Sequence, residues 1–206
     1  MSLVIVGGHS RNVGKTSVVA GLIAALPEYN WNAMKITQYG HGICSRNGQS
    51  CHCATADHSW AISEEKDRSG ESDSSRFLIA GARRVWWART EQGRLAEAMP
   101  TLRRRLADAE NMIIESNSMV KFVRPDLYLI VLDPANSDFK KSAQEFLDRA
   151  DAAIVHKGND SEGFRSSWQG VSLKPVAQRP LFWVCPPQYL TADIVEFVRS
   201  RLQKPA

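Results

Sequence analysis

Residues 4–22 read VIVGGHSRNVGKTSVVAGL. The apolar run at 3–6 stops on Gly7 and Gly8, as a buried parallel strand does. From Thr16 onward Val18, Val19, Leu22, Ile23 and Leu26 recur at helical spacing, and Pro27 stands where such a helix would stop. Between strand and helix lies Gly14-Lys15-Thr16. Glycines there let backbone N–H groups close on phosphate, and the helix N-terminus adds partial positive charge. The lysine reaches outer phosphates and the hydroxyl can bind magnesium. The spacing departs from the usual pattern. The usual first glycine position is held by His9, and Gly8 lies one place earlier, with five residues between it and Gly14.

Outward from this stretch the pattern alternates. WNAMKIT (31–37), RRVWWAR (83–89), NMIIES (111–116), LYLIVLD (127–133), AAIVH (152–156), VSLKPV (171–176) and LFWVC (181–185) read as strands. Helices are expected over 73–82 with Asp73 or Ser74 as cap, over 91–109 with a break at Pro100, over 143–150, and over 191–202 with Thr191 as cap. Strands alternating with helices predict an α/β fold with a mainly parallel sheet covered on both faces. Residues 38–71 are rich in Gly, Ser, His, Cys and charge without periodicity, and read as a long loop or insert. No repeat or boundary divides the chain, so a single domain over 1–206 is expected, with that insert inside it.

The chain has 206 residues, 43% hydrophobic and 23% charged, which suits one soluble domain with a real core. The net charge is +4, and the basic residues fall in short runs such as GARRVWW and TLRRRLAD beside apolar ones. That reads as solvated ends of elements, not as a nucleic-acid stripe. No run approaches a membrane span and no leader pattern opens the chain, so a cytoplasmic location is expected. In a reducing compartment the four cysteines are expected free or metal-bound. Cys185, in LFWVC, reads as a small buried apolar residue.

GGHSRNVGKTSVVAGL resembles the longer phosphate loop of dethiobiotin synthetase. RNVGKTS resembles the loop of MobB-type proteins of molybdopterin-guanine dinucleotide synthesis. MKITQYGHG, ESDSSRFLIAGARRVWWAR and NMIIES resemble further MobB segments in the same order, although Ser116 replaces a glycine and the Cys-rich insert has no counterpart. Both families are P-loop NTPases of the SIMIBI class. The resemblance implies their three-layer fold, ATP or GTP with magnesium, a protein partner in cofactor or metalloenzyme maturation, and a homodimer. The phosphates would be lined by Gly8, Arg11, Asn12, Val13, Gly14, Lys15, Thr16 and Ser17. Lys15 and Glu115 would carry catalysis, and Thr16, Glu115 and Asp73 the magnesium shell. Asp73 reads equally as a helix cap, and Asp133 as a third strand-end carboxylate or a plain turn. IVHKGND places Lys157 where guanine-binding proteins carry Asn-Lys-x-Asp, but His156 and Asn159 break that motif, which tilts the base toward ATP.

His41, Cys44, Cys51 and Cys53 have ligand types suited to zinc or an iron–sulfur cluster, with a mobile loop as the plain alternative. Such a site beside a phosphate-sensing segment would couple nucleotide state to metal capture. Two rival functions stand beside an NTPase of cofactor or metal maturation. One is an ATP-dependent ligase activating a small carboxylate, which the loop spacing favours. The other is a nucleotide-dependent adapter without catalysis.

Overall fold

The computed structural model describes residues 1–39, 59–157, 168 and 170–202. Its centre is an eight-stranded sheet: β1 (Leu3–Gly8), β2 (Trp31–Tyr39), β3 (Trp60–Glu64), β4 (Arg84–Glu91), β5 (Asn111–Glu115), β6 (Leu127–Leu132), β7 (Ala152–His156) and β8 (Leu181–Val184). The order across the sheet is β3-β4-β2-β5-β1-β6-β7-β8. Every described pair is parallel except β3–β4. The helices are α1 (Lys15–Ala25), α2 (Asp73–Ile79), α3 (Leu95–Ala107), α4 (Lys141–Gln144), α5 (Lys174–Ala177) and α6 (Ala192–Leu202).

Side chains alternate across the strands and build two cores. Val4, Val6, Ala33, Val85 and Ile113 pack on one face with Val18, Val19, Leu22 and Ile23 of α1, Phe77 of α2 and Ile194 of α6. Leu3, Ile5, Met34, Trp86 and Ile114 pack on the other with Leu95, Met99 and Leu102 of α3 and Val176 of α5. The mainly parallel sheet with both faces covered is therefore the observed architecture.

Several expectations need correction. The insert over 38–71 is not all loop, because β2 runs to Tyr39 and β3 returns antiparallel at the sheet edge. The cap of α2 is Ser72, whose hydroxyl accepts from the Ser75 amide while the Ser75 hydroxyl accepts from the Ser72 amide. That reciprocal bonding leaves the Asp73 carboxylate free for another task. Residues through Glu91 extend β4, so α3 begins only at Leu95, and it runs on past Pro100. VSLKPV is not a strand; its second half turns into α5 with Pro175 in the first turn. The helix expected over 143–150 breaks into α4 and a 3-10 turn at Leu147–Arg149. Cys185 is exposed, not buried.

Candidate nucleotide site

The carboxyl ends of β1, β5 and β2 converge on the loop at 8–16. Asn117, just past β5, clasps Gly8: its Oδ1 accepts from the Gly8 amide at 2.7 Å, and its Nδ2 donates to the Gly8 carbonyl at 2.8 Å. A side chain at Gly8 would meet Val13 at 2.7 Å and the Lys15 stem at 2.9 Å, so the loop folds back tightly over the strand end. Gly14 has φ +87°, and a Cβ there would lie 2.2 Å from the Tyr189 ring. Backbone conformation and packing both demand glycine at this position. No side chain caps α1 at Gly14, so the first amides of α1 remain available to an anion.

Lys15 donates from Nζ to the Ser10 carbonyl at 2.7 Å. Its pKa is lowered, by burial first, with Lys35 and Arg11 also opposing the charge and Glu115 and Asp73 favouring it. Arg11 and Asn12 are exposed, Val13 is buried, and Ser17 accepts from the Arg76 guanidinium at 3.2 Å.

The extra loop residue has a task of its own. The His9 ring is fully buried between Phe139 and Trp168, with ring centroids 5.3 and 4.9 Å away. Nε2 lies 3.2 Å from the Asn136 carbonyl, and Nδ1 accepts from the Asp133 amide at 3.4 Å. That pattern fits a neutral ring protonated on Nε2. Burial lowers its pKa below the ordinary 6.5, outweighing the carbonyls of Val131 and Asn136. The unfolded chain therefore takes up this proton first, and stability supplied by the neutral ring is lost as the pH falls through about 6.5. Urea midpoints measured at pH 7.5 and 5.0 should show a drop that is smaller in His9→Gln. An equal drop in both proteins would remove His9 as its source.

The acidic residues form a second cluster. Thr16 donates from its hydroxyl to Glu115 Oε2 at 2.7 Å. Lys35 projects from β2 at the register position beside Glu115 and bridges Glu115 Oε1, at 3.2 Å, to the Asp73 carboxylate. Burial works against the Asp73 charge, but the Lys35 charge and hydrogen bond and the Thr16 hydroxyl outweigh it and lower its pKa. A hydroxyl beside two carboxylates is a hard-oxygen donor set that fits magnesium. Lys35 currently supplies the positive charge between those carboxylates. Sequence reading gave Lys35 no role, though a single lysine amid the apolar WNAMKIT was a usable signal.

The remaining expected residues lie elsewhere. Asp133 accepts from the Ala135 amide at 3.1 Å and faces His156 at 3.6 Å, which joins a turn to a buried imidazole. Lys157 is exposed at the end of β7. His41, Cys44, Cys51, Cys53 and Asn159 lie outside the described residues. Among the described residues no group of three or more His, Cys, Asp or Glu side chains could hold a metal, and no helix is long and apolar enough to cross a membrane.

No protein-family model matches the sequence, and no curated protein does. Solved structures do match. HypB from Helicobacter pylori, solved in complex with nickel, aligns at 15% identity over 96% of this chain and 86% of its own, with a TM-score of 0.50. The hydrogenase maturation factor HypB from Archaeoglobus fulgidus aligns at 12% identity over 97% and 89%, with a TM-score of 0.56. The fold that the chain shares with these structures is the α/β fold of P-loop NTPases. At these identities the HypB likeness reaches the fold and no further. Bacillus subtilis MobB spans the whole of both chains at 18% identity, but its TM-score of 0.37 carries no argument.

Proposed function

We propose that this chain binds ATP or GTP with magnesium at the loop 8–17 and hydrolyses it in the maturation of a cofactor or metal centre. One observation carries the reading: Lys15 is held over a phosphate loop whose Thr16 hydroxyl is bonded to the strand-end carboxylate of Glu115. The amides of Gly14, Lys15 and Thr16 and the Lys15 ammonium bind the phosphates. Lys15 also offsets charge that grows on the transferred phosphoryl group. Thr16, Glu115 and Asp73 would hold magnesium, which when bound neutralises phosphate charge. Glu115 and Asp73 keep their positions in the free protein through Lys35.

The maturation role is supported by the sequence resemblance to MobB-type proteins, which also motivates a protein partner and a homodimer. The metal site at His41, Cys44, Cys51 and Cys53 is part of the same reading and rests on sequence alone.

The test is a panel of ATP and GTP binding and phosphate release with magnesium, on protein purified without added metal and assayed for zinc and iron. Turnover of either nucleotide supports the hydrolase. Tight binding without turnover favours the adapter, and phosphate release that requires a small carboxylic acid favours the ligase. If neither nucleotide binds, the proposal is wrong. Absence of zinc and iron removes the metal site.

A further inference from the structure

The segment between β6 and α4 folds over the phosphate loop. The Lys140 amide donates to the His9 carbonyl at 2.8 Å. Asp138 accepts from the Ser10 hydroxyl at 2.9 Å, and the Asn136 side chain donates to that hydroxyl at 3.2 Å. Phe139 packs on the His9 ring. Residues 136–140 are thus fixed against the loop. The extra loop residue, His9, supplies both the ring and the carbonyl that hold them.

The Lys140 side chain is half-buried and makes no ion pair among the described residues. The charged groups acting on it most strongly are Lys15 and Arg11 of the loop, ahead of Asp138 on its own segment and Glu115 on β5. The Lys140 amide on the His9 carbonyl sets its residue beside a loop that carries Lys15 and Arg11, and two carboxylates that act on Lys140 are already engaged, Asp138 by Ser10 and Glu115 by Thr16 and Lys35. Such a cluster is unfavourable in the free protein and is relieved by a multiply charged anion.

We propose that Lys140 is a third phosphate-binding cation, meeting the polyphosphate chain beside Lys15 and Arg11. The proposal rests on the nucleotide reading and adds to it a residue that no motif marks. It has a titration consequence. Burial, then Lys15 and Arg11, push the Lys140 pKa down to about 8 in the free protein. A bound polyphosphate restores the charged form. Capture then takes up a proton above pH 8, and affinity falls as the pH rises through that value. The terminal phosphate of ATP and GTP, with a last pKa of about 6, is already ionised in this window, so those two ligands report the pH dependence. Lys15, also depressed by burial, leaves a residual slope when Lys140 is changed.

Titration calorimetry with inorganic tripolyphosphate, ATP and GTP at pH 7.0 and 9.5 tests this on wild type, Lys140→Ala, Lys140→Arg and Lys15→Ala. Lys140→Ala should weaken all three ligands about tenfold at pH 7.0, the size of one charge-assisted contact. Lys140→Arg should keep the affinity and flatten the pH dependence. Binding by Lys140→Ala within about twofold of wild type, while Lys15→Ala loses binding, overturns the role of Lys140 and leaves the nucleotide site standing. Failure of wild type to bind any of the three overturns both. Should Lys140→Ala not fold, the slope of Lys140→Arg decides: a slope unchanged from wild type overturns the proposal.

Discussion

Lys15→Ala should lower nucleotide turnover by about two to three orders of magnitude and leave the fold intact. The two halves of this expectation have separate causes. The Lys15 ammonium is tied to the Ser10 carbonyl and has lost most of its hydration. A desolvated charge with no carboxylate in direct contact does little for folding, so its loss costs little stability and relieves repulsion from Arg11 and Lys35. For a phosphoryl group in transfer the same charge is already positioned, and nothing must reorganise when negative charge develops. Lys15→Arg separates charge from fit, because the guanidinium fork cannot repeat a point contact in a loop this tight. Thermal melts should place Lys15→Ala at or above wild type, with phosphate release close to background. Wild-type turnover in Lys15→Ala would place the chemistry somewhere other than this loop.

Much of this was legible in residues 4–22, because local chain chemistry determines it. An apolar run, two glycines, and Gly-Lys-Thr at the head of an apolar-faced helix allow few other geometries. Strands such as LYLIVLD were equally plain, since buried parallel strands are continuous apolar runs. β3 was missed because WAISE is a short, half-exposed edge strand whose partner, β4, is distant in sequence and whose pairing is tertiary. For Asp73 the sequence leaves a magnesium-shell role and a cap equally open, because acidic residues are common at helix starts, and the structure gives the cap to Ser72 one position earlier. The parts of the site that stayed hidden are made by register and chain return. Lys35 matters because β2 lies beside β5 with Lys35 paired to Glu115. Lys140 matters because the chain returns from β6 to the His9 carbonyl. Neither has a spacing signature. The misplaced glycine was the one visible trace: it implied an extra residue, and that residue is what ties the returning segment to the loop.

Lys35→Met should produce the largest loss of stability at the site, about 3 kcal/mol at neutral pH. Lys35 is the cation between two carboxylates that differ in their access to water. The Asp73 side chain is 45% exposed and can turn to solvent, while that of Glu115 is 7% exposed and cannot. Removing the ammonium leaves Glu115 with the Thr16 hydroxyl and no cation in direct contact, Lys15 acting on it only at longer range. An unpaired buried charge costs more than the pair returns, so the deficit should follow the charge and not the lost packing. Lys35→Met combined with Glu115→Gln should then recover much of it, since Gln still accepts from Thr16 and carries no charge. Magnesium supplies an independent readout. Wild type, whose carboxylates already hold a cation, should show little change in melting temperature with magnesium alone. Lys35→Met should be stabilised by it, because the vacated pocket retains its oxygen donors. If Lys35→Met melts with wild type and ignores magnesium, the bridge is incidental. If Lys35→Met responds to magnesium and the double variant does not, Glu115 is the group that links the two, and the carboxylate cluster beside the phosphate loop is a cation site held closed by a lysine.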